Sequence, residues 1–363
     1  MSFDYRGRLL RLQALMDQQG LDAAMFSVGP DLLYFAGYEA IASERLTMLV
    51  VLAEGDPVLL IPELEAPRVE EAHVFDLVAW RESQDPISLV TKLVGDSKRL
   101  AIGDHTWSAF VLALQAAIPD SSWLPASELT RGLRMRKDQA EIAALREVGR
   151  EADSVAGRIP SEIRFEGATE VEVSRLVQEM LLDEGHDHAE FAIVGSGPNG
   201  SSPHHSASNR IIEGGDLVVL DFGGRRRGYW SDTTRMFIVG DPTSHYREVH
   251  SVVAAAQKAA REVARPDVPC QEIDRAAREV ISNAGYGEFF IHRTGHGIGL
   301  EVHEHPYIVE GNEFAIEAGM AFSIEPGVYL PGQFGVRLED IVIATTDGVE
   351  TFNDSVRDLV PVS

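Results

Sequence analysis

Five residues of this chain could do chemistry together: Asp221, Asp232, His296, Glu325 and Glu339. Each stands in its own phrase: VVLDFGG, YWSDTTR, RTGHGIGLEVHEHP, FSIEPGVY and GVRLEDIVI. Four carboxylates and one imidazole are the ligand set expected for two divalent cations side by side. Hard oxygen donors suit Mn, Fe or Co, and such a set also accommodates Zn. A pair of ions points to hydrolysis, because it can hold a water nucleophile and polarise a carbonyl together. The competing reading, acids facing solvent on ordinary strands, explains poorly why each lies beside an apolar run.

Two hairpins must position the acids. LVVLDF at 217–222 and TTRMFIV at 233–239 are strand-like, and GGRRRGYWSD between them is rich in turn formers. Folding back about Arg226–Arg227 sets Asp221 opposite Asp232, on one sheet face and close together. FSIEPGVYL and FGVRLEDIVIA flank Pro331, Gly332 and Gln333, and folding about Gly332 sets Glu325 opposite Glu339. Bare carboxylates so placed repel, and a cation between them is the natural remedy.

The histidines are read against this frame. His296 lies between Gly295 and Gly297, which permit close backbone approach to a ligand. A neutral imidazole there can ligate a metal or donate to a developing oxyanion. His292 and His303 flank it, and the cluster of three threaded by glycine outweighs the usual reading of a lone histidine as packing or surface. His204 and His205 follow the loop GSGPNGSSPHH, whose start matches G-x-G-x-x-G at Gly195, Gly197 and Gly200. Pro198 and the lack of a following apolar helix argue against a dinucleotide site and for a flexible loop bordering a cleft. His305 is left without a role, and His73, His105, His186, His188, His245 and His250 are read as surface residues.

Composition narrows the classes. The chain has 363 residues, 44% hydrophobic, room for two domains. Its 57 acidic against 32 basic residues give a formal charge of −25, which excludes nucleic acid and anionic membranes as partners. The single cysteine, Cys270, allows no intrachain disulfide and reads as a packed residue. Residues 1–20 read as an amphipathic helix rather than a signal peptide, and no apolar run reaches membrane-spanning length, so a cytoplasmic location is expected.

Helical spacing is read at 5–19, 83–95 and 107–117, and short apolar strands at 22–28, 47–53, 57–61 and 99–104. This alternation is α/β patterning. A local basic cluster near 130–137 then introduces longer helices at 138–158, 169–184, 245–264 and 271–284, interspersed with hairpins.

Taken together, the phrases PHHSASNRIIEGGDLVVLDFG, GYWSDTTRMF, HRTGHGIGLEVHE, IEPGVY and GVRLED resemble the pita-bread metallopeptidases: Xaa-Pro dipeptidase (prolidase), aminopeptidase P and their relatives methionine aminopeptidase and creatinase. The resemblance implies an α/β creatinase-like non-catalytic domain over 1–132. It also implies an α+β pita-bread (creatinase/aminopeptidase-like) catalytic domain over 133–363. It implies metal ligation by Asp221, Asp232, His296, Glu325 and Glu339, with Asp232 and Glu339 contacting both ions, most simply Mn. It gives His303 to stabilisation of the tetrahedral intermediate and His204 to the proline side of the substrate. His292 is a further active-site histidine, Arg337 a supporting cation and Tyr329 a residue near the cleft. The expected reaction is cleavage of the Xaa-Pro bond of dipeptides by a metal-bridging hydroxide, with Glu325 moving the proton. A homodimer is expected from family habit.

One departure concerns the substrate. Prolidases often carry an arginine shortly after H-E-x-P that helps hold the dipeptide carboxylate, and here HEHPYI places Tyr307 there. Aminopeptidase P, acting on longer peptides with proline second, is therefore the neighbouring alternative. A creatinase-like reading is set aside because all five ligands are present. A reading of another class is a non-catalytic binding scaffold of the same fold, against which the intact ligand set argues.

Overall fold

A computed structural model of the chain describes residues 3–69 and 74–363, leaving His73 outside the described residues. The chain divides into two compact units, 1–134 and 135–363.

In the first unit, local punctuation sets the element ends. Helix α1 (Tyr5–Gln19) begins where the Asp4 carboxylate accepts from the Gly7 N–H at 2.8 Å, and ends at Gly20, whose φ of 65° suits glycine. Leu9, Leu12 and Met16 form its buried stripe. There follow β1 (Ala23–Ser27), α2 (Pro30–Ala36), β2 (Met48–Leu52), β3 (Val58–Pro62), β4 (Asp76–Trp80), α3 (Pro86–Val94), β5 (Arg99–Ile102), α4 (Ser108–Ala117), β6 (Ser122–Pro125) and α5 (Ser127–Met135). The strands form a mixed sheet in the order β4-β3-β2-β1-β5-β6. The helices and strands read from spacing are all present, trimmed by a few residues. The elements that spacing does not reveal are short, like α2, or are the edge strands β4 and β6.

In the second unit, α6 (Gln139–Glu162) and α7 (Glu170–Glu184) both open with capping boxes, Asp138 with Glu141 and Thr169 with Glu172. Then come β7 (His188–Ser196), β8 (Leu217–Arg226), β9 (Tyr229–Trp230), β10 (Thr233–Val239), α8 (Ser244–Val263) and α9 (Cys270–Asn283). The chain closes with β11 (Gly295–Gly297), β12 (Glu304–Ile308), β13 (Ala321–Ile324), β14 (Gly327–Leu330), β15 (Phe334–Arg337), β16 (Asp340–Ala344), β17 (Val349–Thr351) and β18 (Val360–Val362). One sheet runs β18-β10-β8-β7 with β9 paired to β8, another runs β12-β11-β13-β16-β17, and β14 pairs with β15.

Period-two alternation sorts β8 and β10 between two cores. Val218, Leu220, Phe222, Phe237 and Val239 pack against α6 and α7. Leu217, Val219, Met236 and Ile238 pack on the other face with α8, α9 and the second sheet. Asp221 continues that second face. Apolar residues thus carry each strand into the interior, with Asp221 midway along β8 and Asp232 just before β10 begins.

The hairpin registers test the sequence expectations directly. β14 and β15 pair Gly327 with Arg337 and Leu330 with Phe334, and β13 pairs Ile324 with Asp340. Both ladders share one register, so Glu325 stands opposite Glu339 and the turn centres on Gly332, as expected. The other hairpin differs. β8 pairs Arg226 with Tyr229 and Asp221 with Thr234, so the chain turns at Arg227–Gly228, one residue later than Arg226–Arg227. Both turn residues have positive φ, 52° and 83°, which is the backbone of a tight two-residue hairpin. Asp232 is therefore not opposite Asp221 but beside Thr234's side of the ladder, two residues along. An offset of two preserves the face, so the acids still converge on the diagonal.

Candidate metal centre

Two of the buried acids, Asp221 and Glu339, each have one oxygen held by protein. Asp221 Oδ2 accepts from Arg337 Nη2 at 2.7 Å, and Glu339 Oε2 accepts from Thr234 Oγ1 at 2.8 Å. Their other oxygens, Asp221 Oδ1 and Glu339 Oε1, are buried without a hydrogen-bond partner. His296 Nε2 lies 3.1 Å from Glu325 Oε1 and 3.7 Å from Asp232 Oδ2. Ligand atoms fall into three overlapping groups within 4.8 Å: Asp221, Asp232 and Glu339; His296, Glu325 and Glu339; and Asp232, His296 and His303.

Charge follows this crowding. Burial, with the neighbouring Glu339, Asp221 and Glu325, raises the Asp232 carboxyl well above its ordinary range. Burial, with Glu325 and Asp221, does the same to Glu339. Asp221 is also raised by burial, which the Arg337 charge offsets in part. Burial opposes the Glu325 charge, yet the hydrogen bond and charge of His296 bring that carboxyl down to about 2. Acids driven toward protonation, with bare inward oxygens, suit divalent cations: these neutralise the repulsion and fill the empty acceptor positions. The oxygen-rich donor set with one imidazole is adequate for two such ions sharing ligands.

A basic and aromatic frame holds the acids. Arg337 donates from Nε to Thr234 Oγ1 at 3.0 Å, from Nη1 to Tyr329 OH at 2.8 Å and to the Pro203 carbonyl at 3.2 Å. Burial disfavours its charge, but Tyr329, Asp221, Glu325 and Glu339 keep the guanidinium firmly protonated. Tyr329 OH also meets His292 Nε2 at 2.9 Å, and burial pushes the phenol up to about 12. Beneath, Ser323 Oγ accepts from the His296 N–H at 3.0 Å and donates to Glu325 Oε1 at 3.1 Å. Gly295 is required here, since a Cβ would meet the Ser323 carbonyl oxygen at 1.9 Å.

Asp221, Asp232, His292, His296, Glu325, Arg337 and Glu339 line a cavity of about 470 Å³, together with His204 and His303. The His303 ring lies edge-on to His296 with centroids 4.1 Å apart. Burial, then the charges of His296 and Arg293, lower its pKa to about 4, so it is neutral at pH 7. Tyr329 is buried behind the wall and reaches the site through Arg337 and His292. The structure thus gathers every residue singled out for the site.

Several other expectations fail. His186 and His250 are buried rather than at the surface. His186 Nε2 meets Ser231 Oγ at 2.8 Å beside Asp232, and His250 Nε2 meets the Arg357 carbonyl at 3.0 Å. His105, His188 and His245 are exposed as expected. The loop after β7 does border the cleft, through Pro203 and His204, but it is pinned rather than slack. Glu170, wholly buried, accepts from Ser196 N and Oγ, Asn199 Nδ2, Ser208 N and Oγ, and meets His205 Nε2. The glycines there serve close packing: a Cβ on Gly195 would meet the Gly200 backbone at 3.0 Å, and one on Gly335 the Gly200 carbonyl at 2.0 Å. Thr234, Ser323 and Glu170 carry no functional signal in sequence, because their partners lie far along the chain. Arg293, Phe191, Ile193 and Val302 also line the cavity.

Comparison with known proteins adds two family matches: metallopeptidase family M24 over residues 143–346, and the creatinase/prolidase N-terminal domain over residues 8–136. The chain is 42% identical to the probable dipeptidase PepE of Mycobacterium tuberculosis, over 99% of this chain and 97% of that one. It is 36% identical to the Xaa-Pro dipeptidase of Lactobacillus delbrueckii subsp. lactis, over 96% of this chain and 97% of that one. The crystal structure of recombinant prolidase from Thermococcus sibiricus superposes with a TM-score of 0.95 at 36% identity, covering 100% of both chains.

Proposed function

The chain belongs to metallopeptidase family M24, with a creatinase/prolidase N-terminal domain, and from that membership we propose that it hydrolyses the Xaa-Pro bond of dipeptides. The observation that carries this reading is the convergence of Asp221, Asp232, His296, Glu325 and Glu339, with bare buried oxygens, on a cavity of small-ligand size. In this reading residues 133–363 are the catalytic domain and residues 1–132 the non-catalytic one. Those five residues would hold two divalent ions, Mn first among Mn, Co, Fe and Zn. The active protein is a cytoplasmic homodimer, a state that sedimentation velocity tests.

When bound, the ions supply Lewis acidity, polarising the scissile carbonyl and acidifying water. The chain's own groups do the rest. Glu325 takes the proton from the attacking water and passes it to the proline nitrogen, which as a tertiary amide brings no N–H of its own. The neutral His303 ring donates an N–H to the carbonyl oxygen as that oxygen gains charge, without adding charge of its own. His204 contacts the proline side, and Phe191 and Ile193 give the cavity an apolar wall. Arg337, with Tyr329 and His292 behind it, fixes Asp221 and offsets the acidity of the site.

Incubation of Mn-loaded protein with Ala-Pro, Ala-Pro-Ala and a proline-free dipeptide tests the substrate. Cleavage of Ala-Pro alone is expected. Cleavage of Ala-Pro-Ala assigns the protein to the aminopeptidase P side, and cleavage of none sends the site to another substrate. Metal analysis of the purified protein separates all of these from a scaffold, which need bind none.

A further inference from the structure

An Xaa-Pro dipeptide brings a free carboxylate one atom from the bond to be cut, into a cavity already lined by Asp221, Asp232, Glu325 and Glu339. The two divalent ions of the proposed centre would offset those acids, and the substrate carboxylate calls for a cation that the acids have not already engaged. Two arginines line the cavity, Arg293 and Arg337. Arg337 is already engaged, with each guanidinium nitrogen donating to Thr234, Tyr329, Pro203 or Asp221, and only 3% of it exposed. Arg293 is in a different state. Its guanidinium lies over the Tyr307 ring at 4.4 Å, half-buried, and among the described residues no carboxylate pairs with it.

We infer that Arg293 is the residue that recognises the substrate's C-terminal carboxylate, and so confines cleavage to dipeptides; the inference rests on the dipeptidase reading. The backbone around it is fixed for such a task. Thr294 donates from N at 3.0 Å and Oγ1 at 2.8 Å to Asp274 Oδ1, and Arg278 Nη2 donates to the His292 carbonyl at 2.9 Å. His292 Nδ1 donates to the Arg293 carbonyl at 2.7 Å, and the Thr294 carbonyl accepts from the Glu325 N–H at 2.8 Å. The segment bearing Arg293 is therefore tied to the residues it serves. Tyr307 pairs across the strands with His296, so the ring supporting the guanidinium is set by the same ladder that places the imidazole. A planar cation on an aromatic shelf keeps its N–H edge for a carboxylate while its face stays covered.

The test compares Ala-Pro with Ala-Pro amide, which differ only in the terminal charge, on wild type, Arg293→Gln and Arg293→Lys, each Mn-loaded. Wild type is expected to favour the acid in kcat/KM by about 10- to 100-fold, the range of one charge-assisted pair. In Arg293→Gln that acid-to-amide ratio falls to within a few-fold, chiefly through KM, and Arg293→Lys restores part of it. Calorimetric titration with free proline and prolinamide reads the same contrast without turnover, and holds for wild type if Arg293→Gln folds poorly. A ratio that persists in Arg293→Gln overturns the assignment, as does a wild type indifferent to amidation, and the dipeptidase reading survives both. A wild type that cleaves neither substrate overturns that reading and this inference with it.

Discussion

Glu325 meets two demands with one side chain. Its Oε1 is tied to His296 Nε2 and Ser323 Oγ, which keeps the carboxyl ionised, while the proposed chemistry asks it to take and release a proton. Glu325→Gln keeps an oxygen for an ion and removes the base. Turnover of Ala-Pro is expected to fall by about 10²- to 10⁴-fold with metal content retained, and normal activity would refute the role. His303 separates from it in the other parameter. Its donation matters only as the carbonyl gains charge, so His303→Ala should lower kcat by about 10²-fold, leave KM nearly unchanged and leave metal content intact. Equal metal loss in that variant would make His303 a ligand instead.

At the scale of elements, the cleft depends on a carboxylate that never reaches it. Glu170, the first residue of α7, gathers the loop after β7 through its fan of donors and so sets where Pro203 and His204 stand. Burial works against its charge, yet the hydroxyl and backbone N–H of Ser196, with Ser208 and His205, hold it down to about 2. Glu170→Gln should cost about 2 kcal/mol of local stability. Loop opening becomes roughly thirty-fold more frequent, read as faster limited proteolysis within 197–209, with KM rising before kcat falls. Unchanged proteolysis would show the loop to be held otherwise. This fan also marks where legibility ends. The Glu325–Glu339 hairpin is readable because Pro331, Gly332 and Gln333 interrupt two apolar runs and the register follows from the turn. The Asp221–Asp232 hairpin is misplaced by one residue because three consecutive arginines give no hint of which takes positive φ. Glu170 reads as an ordinary helix-start acid, and His186 and His250 as surface groups, because Ser196, Ser231 and the Arg357 carbonyl become partners only through tertiary packing.

For the whole molecule, the governing quantity is stored repulsion. The chain carries a net charge of −25, and it brings oxygens of the buried acids Asp221, Asp232 and Glu339 within 4.8 Å of one another. Asp221, Asp232 and Glu339 have folded-state pKa values raised above the ordinary 3.8 and 4.5. An acid raised in this way binds its proton more tightly when folded. Its contribution is therefore present at low pH and is lost as pH climbs from those ordinary values through the raised ones. Glu325, held at about 2, has its effect at and below the ordinary carboxylate range and is constant above it. Buried His186 and His250, both lowered by burial, add stability with rising pH, but equally with or without metal, so they cancel in a difference. Metal bound at the proposed centre would replace protons at these acids and remove that loss. The gap in melting temperature between Mn-loaded and chelator-stripped protein is thus expected to widen steadily from about pH 5 to about pH 8. In Asp232→Asn the gap should shrink and flatten, because one repelling charge and one ligand are gone together. Thermal melts across that range decide the matter: a gap independent of pH in the wild type would mean that these acids do not exchange protons for metal.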